Sequence, residues 1–132
     1  MSKVALITRY ILGVLLVIFG LNGFFNFIPM DAPTGVAGEF MMGLFKSGYV
    51  FPVIKLIEIA TGVAFLTNRF TALASIVFMP IAINILLYHA VLEPASGLIA
   101  YVVFVFALIQ LIAHKAYYMP LLKPKTHATY NS

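Results

Sequence analysis

The sequence predicts an all-α protein: a four-helix transmembrane bundle with a short amphipathic surface helix between spans one and two. Three observations predict it. Hydrophobic residues make up 63% of the chain and charged residues 9%, against about a quarter charged in an average soluble protein. Apolar runs of about 20 residues recur, each long enough to cross about 30 Å of hydrocarbon as a helix. Between the first two runs lies a mixed stretch whose apolar residues keep helical spacing but which is too short to span. A soluble fold would leave such runs with no polar face to turn to water.

Span one covers about residues 4–28, with the core YILGVLLVIFGLNGFFNF. A signal peptide is the rival reading, because the start is basic and then apolar. The apolar run is too long for that, and no small-x-small cleavage site follows it. Asn22 and Asn26 lie at i, i+4 and so share a face. Gly13, Gly20 and Gly23 permit close helix approach. Pro29 and Pro33 end the span, and Thr34 is placed to cap the next helix.

The surface helix is read over residues 34–46. Val36, Phe40 and Leu44 repeat at i, i+4 beside Met41 and Phe45, with Glu39, Met42 and Lys46 on another side. That pattern fits a helix lying at the membrane surface.

Span two covers residues 49–67, YVFPVIKLIEIATGVAFLT. It carries Lys55 and Glu58 three residues apart, hence on one helix face. A very tight connection at Asn68-Arg69 leads to span three, residues 70–91, so the two form an antiparallel helical hairpin. Pro80 is expected to kink span three. Asn84, Tyr88 and His89 follow it. Span four covers residues 97–118, with Gln110 in its second half and His114, Lys115, Tyr117 and Tyr118 at its end. The membrane domain is thus residues 1–119, and residues 120–132 form a polar, basic tail.

Four spans put both termini on one side. Lys3, Arg9, Arg69, Lys115, Lys123 and Lys125 fall on that side, so the positive-inside rule makes both termini cytoplasmic. Arg9 and Lys115 are expected to snorkel to headgroups there.

Depth follows from a rise of about 1.5 Å per residue. Counting from the outer surface, Asn22, Lys55 and Asn84 each lie about 9 Å down and Glu58 about 13 Å, with Asn26 and His89 nearer the mouth. Three helices therefore place polar groups at one depth. If they face inward, Asn22, Asn26, Lys55, Glu58, Asn84 and His89 form an outer-leaflet polar pocket under the surface helix. An ionisable residue inside a span marks a functional or assembly-critical position. Two readings stay open for Lys55 and Glu58: a structural salt bridge satisfied by asparagines, or a site for a polar ligand, proton or quinone headgroup.

The chain has no cysteine, which excludes a disulfide framework, a thiol nucleophile and a Cys-based metal or iron–sulfur site. The formal charge of +4 flanks apolar spans and reports orientation rather than nucleic-acid binding. His89, Glu58 and Glu39 show no metal-ligand spacing. His89 and His114 fall on opposite sides of the membrane, which disfavours bis-His ligation of one haem. There is no phosphate-binding glycine loop and no nucleophile–base–acid motif. No metal and no catalytic residue is assigned, and a quinone is the one cofactor the reading admits.

The stretches RYILGVLLVIFGLNGFFNF, GYVFPVIKLIEIATGVAFLTNRF and NILLYHAVLEP together resemble the DoxX family of small bacterial membrane proteins, over about residues 9–115. The most specific part is the Lys-x-x-Glu pair of span two, joined by Asn84 and His89. The resemblance implies a four-helix bundle in the bacterial cytoplasmic membrane. The family name derives from subunits of a thiosulfate:quinone oxidoreductase, and some relatives are linked to membrane redox complexes and thiol stress. Thiol chemistry does not carry over to a chain without cysteine; the polar group Asn22, Lys55, Glu58, Asn84 and His89 does.

The functional expectation is a non-catalytic accessory subunit of a membrane redox or respiratory complex. The alternative is a small-molecule or quinone binding or transport protein using the outer pocket. The expected partners are the lipid bilayer and either other membrane subunits or further copies of the chain, not nucleic acid.

Overall fold

The computed structural model describes residues 2–128, and these are helical without strands. Six α-helices follow in order: α1 (Lys3–Phe25), α2 (Gly35–Lys46), α3 (Val50–Thr67), α4 (Thr71–Leu87), α5 (Leu98–Ala113) and α6 (Lys115–Tyr118). A π-helical turn, Tyr88–Leu92, extends α4, and short 3-10 turns occupy Pro94–Ser96 and Met119–Leu122. The last four residues of the tail, 129–132, lie outside the described residues.

The four long helices close a ring of contacts: α1 packs on α3 and α5, and α4 packs on α3 and α5. Leu12 and Leu16 of α1, Phe65 of α3, Ala74, Phe78 and Ala82 of α4, and Val103 and Ala107 of α5 meet in one core. Large rings are interleaved with alanines, which lets the backbones approach. Between apolar helices in lipid that close packing, not exclusion of water, drives association. Helices α1 and α3 approach closely at a pair of glycines. A Cβ on Gly62 would stand 3.0 Å from the Gly13 carbonyl, and one on Gly13 would stand 3.1 Å from the Gly62 carbonyl. Glycine at both positions is what allows this crossing.

Three helices, Lys3–Phe25, Val50–Thr67 and the α4 helix with its π turn, are long and apolar enough to cross a membrane. A fourth candidate is α5 joined to the segment Lys115–Leu122, but the two are bent by 64°. The segment expected as one span over residues 97–118 is thus broken in direction: α5 stops at Ala113 and Lys115–Leu122 continues at an angle. The break is at His114 (φ −104°, ψ 14°), whose Nδ1 lies 2.8 Å from the Gln110 carbonyl. That side-chain bond falls on the same carbonyl that the His114 backbone N–H uses, and the next turn does not continue the axis.

Span one also ends early, at Phe25. Asn26 takes the left-handed conformation (φ 53°) as its C-cap, a conformation asparagine tolerates better than most residues. The α3–α4 connection is as tight as expected, and it is built on two positive-φ residues, Asn68 (53°) and Phe70 (57°). Helix α4 runs through Pro80 as one element, and the departure from α geometry comes later, at Tyr88. Thr34 sits at the N-cap of α2, but its hydroxyl makes no capping bond. α2 buries only Ala37 and rests on the rest of the chain through aromatic pairs, Phe40 with Tyr88 and Phe45 with Phe51.

The bundle thus has two ends. The α2 end gathers the last turn of α1, the first turns of α3 and the π turn. The tail end gathers the start of α1, the α3–α4 turn and the end of α5.

Candidate functional site

At the α2 end, Lys55 and Glu58 form an ion pair, Nζ to Oε2 3.1 Å, with the Glu58 side chain 5% exposed and that of Lys55 18% exposed. The first turns of α3 put them on one face. The face is turned toward Gly23 of α1, where a Cβ would fall 2.6 Å from Cγ and Cδ of Lys55. The missing side chain at Gly23 gives the lysine stem a flat bed, and the ammonium also lies 5.3 Å from the centre of the Phe51 ring. A charge buried this way tolerates its surroundings because its counter-charge is one turn along the same helix.

The other expected members of this cluster are bound elsewhere. Asn22 is buried, but both ends of its amide are used on one residue of its own chain end. Oδ1 accepts from the Ile28 backbone N–H at 2.6 Å and Nδ2 donates to the Ile28 carbonyl at 3.2 Å. This clamp folds the chain back over the end of α1. Asn26 is exposed and serves as the helix cap. Asn84 is exposed and donates to the Pro80 carbonyl one turn earlier, at 2.9 Å. His89 is half-buried in the π turn, edge-on to the Tyr88 ring at 4.9 Å. Its Nδ1 is buried without a hydrogen-bond partner among the described residues. Tyr88 donates its hydroxyl to Glu93 Oε2 at 3.2 Å. The common depth read from the sequence therefore does not translate into a common hydrogen-bonded cluster: only Lys55 and Glu58 bond to each other.

The tail end holds a second polar network that the sequence reading missed. Gln110 of α5 is fully buried. Its Nε2 donates to the Ala5 carbonyl at 2.8 Å and to Thr8 Oγ1 at 2.9 Å. Both acceptors are on α1, so this one amide ties α5 to α1. Arg9, expected to snorkel to headgroups, is instead 3% exposed, and its Nη1 donates to the Phe65 carbonyl. The physical reason lies in the end of α3. The last carbonyls of a helix lack backbone partners and carry the negative end of its dipole. The Arg69 N–H turns to Ala64 rather than Phe65, which leaves the Phe65 carbonyl for the guanidinium. The guanidinium also stands 4.5 Å from the centre of the Tyr10 ring. Arg9 Nε and Gln110 Oε1 stay buried without partners among the described residues.

His114, 4% exposed, completes this end. A carbonyl only accepts, so its Nδ1 carries a proton toward Gln110. Beside it opens a groove of about 470 Å³ between the start of α4 and the end of α5. The signal that would have found this network was available: Thr8, Arg9 and Gln110 are polar residues at similar distances from one membrane face.

Among the described residues, no group of three or more His, Asp or Glu side chains comes together as a metal site. No family model, curated protein or solved structure matches this chain.

Proposed function

We propose that the chain is a DoxX-like protein of the bacterial cytoplasmic membrane, a four-span bundle with both termini cytoplasmic. We propose further that it is a non-catalytic accessory subunit of a membrane redox or respiratory complex. The observation that carries this reading is the closure of Lys55 and Glu58 on each other within α3, bedded on Gly23. With Asn22 bonded to the Ile28 backbone and Asn84 to the Pro80 carbonyl, these polar residues of the α2 end behave as packing elements. Bent α5 and its following segment supply the fourth span in this reading, and the basic residues at the tail end give the orientation.

Purification from the native membrane in mild detergent, followed by protein and lipid mass spectrometry, tests it. A reproducible, stoichiometric set of redox or respiratory subunits is the expected result. A lone chain or homo-oligomer with no partner overturns it.

One observation favours a second reading, binding of a quinone or other small polar molecule at the α2 end. His89 Nδ1 is buried and unpartnered among the described residues, and beside Tyr88 it is placed to meet a carbonyl or hydroxyl. In that reading the same purified sample retains one such molecule, and His89→Phe loses it. A colourless, quinone-free sample with unchanged lipid content rejects it.

A further inference from the structure

We propose that the segment after the bend, Lys115–Leu122, lies along the membrane surface at the tail end and docks on the acidic phospholipid headgroups of that leaflet. The proposal rests on the membrane reading above, and not on the accessory-subunit reading. It makes the segment the interfacial end of the fourth span rather than more of its hydrocarbon crossing.

Geometry comes first. The segment is one turn of α-helix, Lys115–Tyr118, followed by a 3-10 turn, Met119–Leu122, about 14 Å long in all. It leaves α5 at 64°. With α5 along the bilayer normal, it climbs only about 6 Å and runs about 13 Å sideways. The bundle fixes that direction. His114 at the bend is buried and bonded to the Gln110 carbonyl, the first turn packs against α4 and α5, and the Tyr118 hydroxyl is buried.

The outward side of the segment is apolar. Tyr117, Leu121 and Leu122 are each at least 70% exposed, and Met119 beside them is exposed as well. A run this short does not cross a bilayer. Water is a poor neighbour for these side chains, whereas the boundary between headgroups and acyl chains accepts them, tyrosine above all.

Charge decides which lipids are met. Lys115 and Lys123 flank the apolar side and are exposed, and Lys125 follows in the tail. Arg69 in the α3–α4 turn and Lys3 at the start of α1 are exposed at the same end. The chain's four acids are Asp31, Glu39, Glu58 and Glu93, and all of them belong to the α2 end. The tail end is therefore cationic without internal counter-charge, and an apolar strip lies between its lysines. That combination is complementary to a leaflet bearing acidic headgroups. A protein surface with acidic patches would match the lysines but not four exposed apolar side chains running along the boundary of the membrane.

The chain has no tryptophan, so a single introduced tryptophan reports its own surroundings. The test places the full chain in nanodiscs whose lipids are brominated either near the headgroup or deep in the acyl chain, and reads tryptophan quenching. Leu122→Trp is expected to be quenched at least about twofold more by shallow than by deep bromines. Val105→Trp, on an exposed face in the middle of α5, is expected to show the opposite order. At equal mole fraction, brominated phosphatidylglycerol is expected to quench Leu122→Trp at least about twofold more than brominated phosphatidylcholine. Lys115→Gln, Lys123→Gln and Lys125→Gln together are expected to remove that preference and keep the depth order. Stronger quenching of Leu122→Trp by deep bromines overturns the proposal, because the segment then continues the span. Leu122→Trp left unquenched while Val105→Trp responds also overturns it, since the segment then faces water or a protein. So does equal quenching by the two lipids, which leaves apolar contact alone, or a preference that survives the triple lysine substitution. Loss of quenching at both positions overturns the membrane reading and the proposal with it.

Discussion

The two ends of the bundle satisfy their polar groups in opposite ways. At the α2 end, Lys55, Asn84, Tyr88 and Asn22 find partners three to six residues away in sequence. At the tail end, Arg9 reaches 56 residues to Phe65, and Gln110 reaches 102 and 105 residues to Thr8 and Ala5. The first kind of bond stabilises a helix or a turn where it stands. The second kind fixes how helices sit against one another. Ionic character is thus no guide to which residues hold the bundle together. The ion pair is local to α3, while a neutral glutamine joins α1 to α5.

That contrast can be broken or sharpened by substitution, with unfolding free energy in mixed micelles as the measurement. Glu58→Leu alone should have the largest effect, about 3 kcal/mol, because it strands the Lys55 ammonium on Gly23 without a counter-charge. Lys55→Met combined with Glu58→Leu should cost about 1 kcal/mol or less, since nothing charged is then left behind. Equal costs for the single and the double would mean that the charges do more than neutralise each other. Gln110→Leu comes next, at about 1–2 kcal/mol, because two interhelical bonds go together. It should also lengthen the α1–α5 distance in spin-label measurements. Asn84→Leu should be the smallest, within about 0.5 kcal/mol, since it is exposed and removes one bond along its own helix. An Asn84→Leu cost as large as that of Gln110→Leu would abolish the distinction between the two ends.

The same contrast explains what was legible in the sequence. The helices were legible because apolar runs, prolines and the Asn68-Arg69 break are local signals, and the three clear candidates for spanning begin within two residues of where those signals place them. The Lys55–Glu58 pair was legible because i, i+3 spacing alone brings the two together. The wider cluster was not, because depth along a helix does not give rotation about it. Asn84 stands on an exposed face of α4, and Asn22 turns to Ile28. The buried state of Arg9 was hidden for a related reason. It depends on a carbonyl left open where α3 ends and the chain turns through Asn68, a geometry that hydropathy does not encode. The bend at His114 was hidden likewise, since the residues on either side of it read as one apolar run.

The helices of this ring are of unequal reach. At about 1.5 Å per residue, α1 extends about 34 Å and α5 about 24 Å before its bend. On the four-span reading, a bilayer with a hydrocarbon core of about 30 Å would be matched on the α1 side and would have to thin on the α5 side. The molecule would then be a wedge in the plane of the membrane. Lipids beside α5 would be compressed relative to those beside α1, and the elastic cost of that step falls when two α5 faces meet or when a neighbour with a short hydrophobic belt docks there. Bilayer thickness would then regulate the company this protein keeps, through a mismatch set by where α5 stops.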